Sequence, residues 1–399
     1  MPVTLDPSQQ SKSRLPSLTG MRFIAAALVF FFHGATDFLF KSPRITSDYL
    51  RTVSNAGSLG VSFFFVLSGF VLTWSMRPGD TTLRFWRRRV FKIVPNHVVT
   101  FSVALILIAF AGEAIALWPT LMNLFLVDSW VPKYSYINSA DGVSWSLSCE
   151  ALFYLCFPLL ILAIRRIRPA ALWGTAGALA GVSILLPYIS LHFLPSTPVW
   201  PWGPSSWAQI WFVYVLPATR MVEFALGIVM ARIVLTGKWI KLPLPVAALL
   251  LAGAYVATLY GPWHFLYNYV AVTIIPVALL IPAAAAADVK GLRTGLSGRT
   301  MVWLGEISFA FYLVHWLVLS EAQRLFGVKA NPLGLLAGPS LSTWGAVAFL
   351  AVCFVVSIAL AWLLYSSVER PMMRRFANPK RVDQAAAAEA DLVPAGQLH

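Results

Sequence analysis

LTGMRFIAAALVFFFHGATDFLF (18–40) holds only three ionisable side chains, Arg22, His33 and Asp37, in an otherwise apolar run. About 20 such residues cross the roughly 30 Å of bilayer hydrocarbon, so this stretch predicts a membrane-spanning helix. It is too long for a signal-peptide core, and no small-residue cleavage site follows it. The rest of the chain agrees. Of 399 residues 58% are hydrophobic and 12% charged, with 27 Phe, 16 Trp and a mean hydropathy of +0.73. A soluble domain carries about twice that charge, and the apolar surplus must face lipid. Nine further runs of spanning length follow near 56–76, 97–117, 143–164, 169–191, 209–234, 243–260, 267–287, 300–321 and 342–366. The fold class is therefore all-α, a polytopic bundle of about ten transmembrane helices, and 120–127 reads as a short interfacial or re-entrant piece.

Lys and Arg number 30 against 16 Asp and Glu, giving a net charge of +14. That total suits a nucleic-acid binder or a membrane protein with basic cytoplasmic loops, and position decides between them. Basic residues cluster in every second connection: Arg77, Arg84, Arg87, Arg88, Arg89 and Lys92; Arg165, Arg166 and Arg168; Lys238 and Lys241; Lys290, Arg293 and Arg299. The intervening connections are richer in Trp, Pro and Tyr, although Lys41, Arg44 and Arg51 make the first an imperfect case. Both termini are then expected in the cytoplasm. Residues 1–17 read as a polar N-terminus, 18–376 as one membrane domain and 377–399 as a disordered tail. A single membrane-bound basic stretch offers no extended surface for nucleic acid. Cys149, Cys156 and Cys353 lie in apolar runs without the spacing of a disulfide framework or a zinc site.

Ionisable groups at membrane depth are costly unless paired or hydrated, which marks them for function. Arg22 and His33 are eleven residues apart, about 1100° of helical rotation, so they share a face about 16 Å apart along the axis. Asp37 follows His33 at i+4 on that face. Glu150 begins another span beside Trp145, Ser146 and Ser148, where a carboxylate would orient a histidine, act as a base or bind a cation. Arg220 and Glu223, at i, i+3, read as mutually neutralising; Glu113, Glu306 and His315 are further candidates. LRFWRRRVFKIVPN (83–96) interleaves Arg84, Arg87, Arg88, Arg89 and Lys92 with Phe85, Trp86 and Phe91. Guanidinium groups bind phosphate in bidentate fashion and stack on planar rings, as a nucleotide or coenzyme A requires; an amphipathic helix on anionic lipid is the alternative use. Gly57, Gly60 and Gly69 read as points of close helix packing.

In order along 16–375, the segments LPSLTGMRFIAAALVFFFH, GVSFFFVLSGF, RFWRRRVFKIVP, WSLSCEALFYLCFP, RMVEFALG, LGEISFAFYLVHW and VERPMMRR resemble membrane-bound acyltransferase family 3. The resemblance implies transfer of an acyl group, commonly acetyl, from acyl-coenzyme A to a hydroxyl of a sugar, polysaccharide, peptidoglycan or natural product, with no metal. It matches Arg22 and His33 to the family's essential pair, Glu150 to the carboxylate of its WSLS-x-E segment, and the arginines of 84–89 to its donor-binding motif. On that reading His33 is the general base, Glu150 or Asp37 fixes its tautomer, and Arg22 holds the pantetheine or the oxyanion. Direct transfer and an acyl-histidine intermediate both fit. Thr19, Ser62, Ala151 and Leu152 stand where the family often has Asp, Asp, Glu and Gln, so a mechanism needing those groups is in doubt. The short form and the PSLTGMRF opening most resemble the branch that acylates macrolides or their sugars. A transporter of a hydrophobic metabolite or lipid-linked sugar would share the ten spans but need no donor site.

Overall fold

The structure is a computed structural model and describes residues 15–76, 79–201, 203–328, 338 and 340–377. Most of the polar N-terminus, Arg77 and the tail from 378 onward lie outside the described residues. Among the described residues eight helical segments are long and apolar enough to cross a membrane, and Leu244–Tyr260 and Ile274–Val289 are shorter apolar helices. With no water in the hydrocarbon to satisfy backbone groups, helices are the form these runs must take. The protein is a multi-pass helical membrane protein.

The elements that position the site are α1 (Pro16–Thr36), α2 (Pro43–Val53), α3 (Ala56–Trp74), α4 (Thr82–Phe110), α5 (Leu117–Leu124), α6 (Trp145–Arg165), α7 (Leu172–Phe193), α8 (Pro217–Leu235), α9 (Leu244–Tyr260), α10 (Ile274–Val289), α11 (Arg299–Leu325) and α12 (Thr343–Leu364). α1 starts with Pro16 at its first turn, where the missing N–H is harmless, and stops at Asp37, just before the positive φ of Phe38. The expected first span therefore ends four residues early. α2, which no apolar run announced, is capped by the Ser42 side chain and buries no residue.

α4 differs most from its expected limits. Thr81 caps it by accepting from the Arg84 N–H, and the helix runs through Pro95 to Phe110. The basic run 84–92 is thus the first third of a spanning helix rather than a loop. Charge had hidden it, because hydropathy finds only the half that lies in hydrocarbon. The expected short piece near 120–127 is α5, one helix of eight residues.

Close crossings hold the bundle together. A Cβ at Gly227 on α8 would lie 1.9 Å from the Val66 carbonyl oxygen, and one at Gly69 on α3 would lie 2.0 Å from that of Phe224. Gly60 meets α1 in the same manner, 2.5 Å from the Ala25 oxygen, and Gly305 on α11 meets Thr19 at 1.9 Å. Lipid tails are as apolar as leucine, so helix association depends on such close approach. Because the obstacle at Gly227 is backbone, a methyl there forces the two helices apart, at a cost of about 1–3 kcal/mol. Gly227→Ala is expected to lower the melting temperature of the detergent-solubilised protein by several degrees. Gly174→Ala, which meets nothing within 4 Å, should leave it unchanged.

Candidate active site

α1 and α11 pack side by side and bring two histidines together. His33 Nδ1 lies 2.9 Å from His315 Nε2, with the rings stacked at 5.1 Å and 16°. His315 Nδ1 lies 3.2 Å from the carbonyl oxygen of Phe311, one turn back on α11. His315 is fully buried among Phe30, Phe311 and Tyr312, whereas His33 keeps part of its surface accessible. The Trp316 ring meets His33 edge-on at 4.9 Å. Tyr312 ties this layer to α6: its hydroxyl accepts from Ser146 Oγ at 2.9 Å and donates to the Val143 carbonyl at 3.2 Å. The partner of His33 is thus a residue that spacing alone could not connect to it, 282 positions away.

Asp37 and Glu150, the expected partners, are engaged elsewhere. Asp37 is buried and hydrogen-bonds the Gln323 side chain; no bond joins it to His33 among the described residues. Glu150 accepts from the Tyr154 hydroxyl at 3.0 Å, and Arg22, Arg89 and Lys92 are the cations whose fields act on it. Tyr154 lies under the Arg89 guanidinium, 5.8 Å from ring centroid to Cζ. Glu150 therefore serves the basic end of the bundle.

At that end a cavity of about 690 Å³ is lined by Arg22, Lys92, Glu306, Glu369, Arg370 and Arg374 among others. It gathers the starts of α1 and α11 and the end of the α12 segment, with Lys92 reaching in from α4. A wider π turn, Tyr365–Glu369, continues α12. There Glu369 is buried, ion-pairs with Lys92 and accepts from Asn96 Nδ2 at 2.7 Å. Arg370 and Arg374, four apart and exposed, share the next face. Four cations against two carboxylates leave the cavity with an excess of positive charge.

Of the five basic residues expected to meet a donor, only Lys92 lines this cavity. Arg88 is held by Asp80 in a two-pronged pair, and Arg89 lies over the Phe85 and Tyr154 rings. Arg84 and Arg87 are exposed on the outer face of α4. Arg370 and Arg374 are not among the candidates read from the sequence; their one signal there is the spacing of cations in VERPMMRR directly after an apolar span.

Other charges are structural. Arg220 is fully buried, 2.6 Å from Glu223 Oε1, donates to Ser62 Oγ at 3.2 Å and sits between the Phe65 and Tyr214 rings. Glu113 pairs with Arg324 at 2.9 Å. A larger groove of about 900 Å³ between α4, α11 and α12 is walled chiefly by valine and leucine and gathers no cluster of proton-transfer groups.

The connection between α4 and α6 is held by buried polar side chains. Asn123 Nδ2 donates to Asp128 Oδ2 at 3.3 Å and to Ser144 Oγ at 2.7 Å, and Ser144 Oγ donates to the Asp141 carbonyl at 2.8 Å. Burial pushes both carboxyls, Asp128 and Asp141, up to about 7. A carboxyl raised in the folded state stabilises it fully only below its unfolded value near 4, and the contribution is lost as pH rises through about 7. Stability should therefore fall between about pH 4 and 8, read as melting temperature. Asp141→Asn should flatten that slope.

Comparison with known proteins gives the family of the chain. Residues 15–366 match the family model described as an acyltransferase domain. The chain is 42% identical over 386 residues to acyltransferase MdmB of Streptomyces mycarofaciens, covering 96% of this chain and 97% of that one. It is 26% identical to the putative peptidoglycan O-acetyltransferase YrhL of Bacillus subtilis (strain 168), covering 90% of this chain and 55% of that one. It is 23% identical to the peptidoglycan O-acetyltransferase OatA of Listeria monocytogenes serovar 1/2a, covering 92% and 57%. The chain thus spans little more than half the length of the two peptidoglycan relatives. With a matching model over most of its length and a relative of equal extent, the chain belongs to the membrane-bound acyltransferase family 3 and is an acyltransferase.

Proposed function

We propose that the protein moves an acyl group, acetyl in the first instance, from acyl-coenzyme A to a hydroxyl of a carbohydrate or macrolide-type natural product, with His33 as general base. The observation that carries this reading is His33 itself: one ring nitrogen is engaged by His315, and the residue keeps part of its surface accessible. Imidazole suits the task because its ordinary pKa is near neutrality. The 42% identity to acyltransferase MdmB, over nearly the whole of both chains, supports the acyl-transfer reading.

The donor would place its phosphates in the cationic cavity, on Arg22, Lys92, Arg370 and Arg374, at the end of the bundle where the basic connections point to the cytoplasm. From Arg22 to His33 along α1 is about 16 Å, comparable to an extended pantetheine arm. The acceptor oxygen attacks the thioester carbon while His33 takes its proton. The carbon–sulfur bond then breaks and the leaving thiolate takes the proton back, giving the ester and free coenzyme A. Glu150, through its field on Arg22 and Lys92, would keep those two cations gathered at the mouth.

The test is saturable stabilisation of the purified protein by coenzyme A, together with thiol release from acetyl-coenzyme A when a macrolide glycoside or a muramyl peptide is added. Stabilisation and acceptor-dependent thiol release are the expected results. Metabolite transport with no dependence on coenzyme A would replace this reading by a transporter.

A further inference from the structure

We infer that His315 is a positioning residue that locks His33 in the tautomer with its proton on Nδ1, leaving the Nε2 lone pair free to act as the base. The inference rests on the acyl-transfer reading for its consequence, but the hydrogen bonds alone carry the tautomer.

The Phe311 carbonyl fixes the first proton of the pair. An amide oxygen in this contact only accepts, so His315 Nδ1, 3.2 Å away, must carry a hydrogen. A neutral imidazole has one N–H, which leaves His315 Nε2 as a lone pair. That nitrogen is 2.9 Å from His33 Nδ1, so His33 Nδ1 must be the donor. A neutral His33 then has an unprotonated Nε2. The order of elements makes each step rigid. His315 is fully buried, packed on Phe30 and Phe311, and its Nδ1 is tethered within its own helix. His33 is the member that remains accessible.

Two consequences follow. Before reaction, the lone pair is presented to the acceptor hydroxyl without a search between tautomers or ring orientations. When His33 takes the proton, the imidazolium keeps donating to His315 through Nδ1–H, and the neutral ring of His315 shares the charge. This is the orienting role that carboxylates fill in hydrolase triads, carried here by a second imidazole. A neutral partner suits a site in low dielectric, where an ionised carboxylate would itself be costly to bury.

The direct experiment is nitrogen NMR of protein with isotope-labelled histidine at a pH where both rings are neutral, with His33 signals assigned by their loss in His33→Gln. The inference predicts a protonated Nδ1 and a bare Nε2 at His33 in the wild-type protein. In His315→Phe the population should revert towards Nε2–H, the usual form of free imidazole. A wild-type His33 protonated on Nε2 overturns the inference. This arm needs no acceptor and no turnover, so it decides the pair even if acyl transfer itself is not observed.

The kinetic arm uses thiol release from acetyl-coenzyme A with a macrolide glycoside. His315→Phe should lower kcat roughly 100-fold, with KM for acetyl-coenzyme A within about twofold of wild type. His315→Gln, whose amide oxygen can accept from His33 Nδ1–H, should recover at least about tenfold of that loss. A packing role alone predicts that Phe is tolerated better than Gln. That order, or an unchanged kcat in folded His315→Phe, would contradict the assignment.

Discussion

His33→Ala is expected to lower acyl transfer by roughly 10³-fold, within the range attributed to loss of a general base and equivalent to about 4 kcal/mol in the barrier. The variant should still fold and still bind donor. His33 is partly accessible, and its bond to His315 is one contact in an α1–α11 seam that also closes where Gly305 meets Thr19. Coenzyme A should therefore stabilise His33→Ala and wild type to the same degree. The loss should appear in kcat, because the proton transfer it removes occurs only in the transition state. His33→Gln fills the volume and should be as inactive as alanine, since an amide nitrogen has no basic lone pair. Loss of fold in both variants would move His33 from chemistry to architecture.

The second large effect is expected at the other end of the bundle. Arg370→Glu combined with Arg374→Glu turns two cations of the cavity into anions and should raise KM for acetyl-coenzyme A by roughly 100-fold, about tenfold for each charge-assisted phosphate contact replaced by repulsion. At saturating donor kcat should stay within a few-fold, because Arg22, which lines the same cavity, is itself about 16 Å from His33 along α1. The penalty should shrink as salt is added, since both arginines are exposed. Arg84→Ala and Arg87→Ala provide the contrast. Both point to the outer face of α4, and each should change KM by less than about threefold. A large effect at Arg84 or Arg87 and none at Arg370 and Arg374 would return the donor to the outer face of α4, where its sequence drew it.

Much of this organisation is legible in the sequence, and what is not has identifiable causes. Ten apolar runs correspond to eight spanning segments and two shorter helices, because hydrocarbon thickness dictates run length directly. The reading of 97–117 as a span leaves out the first half of α4, since the same helix leaves the hydrocarbon and becomes basic without breaking. Helical periodicity placed Arg22 and His33 on one face because that relation is internal to one element. It could not reveal that His33 meets His315, or that Arg22 lines one cavity with Arg370 and Arg374, because those relations depend on how α1 packs on α11 and how α12 ends. Local spacing offered Asp37 as the partner of His33 at i+4. Tertiary packing instead turned that carboxylate towards Gln323 and supplied an imidazole from another helix. Arg220 and Glu223, by contrast, were readable as a pair because i, i+3 neighbours on a buried face have few other partners.

The central claim, that His33 drives transfer of an acyl group from acyl-coenzyme A, is tested most directly by one side-by-side measurement. Purified wild type and His33→Gln, each shown to be folded and to bind coenzyme A, are given radiolabelled acetyl-coenzyme A and a macrolide glycoside, and the label recovered in the acceptor is counted. The predicted result is acceptor labelling by wild type and a roughly 10³-fold lower rate with His33→Gln; equal labelling by the two proteins would contradict it.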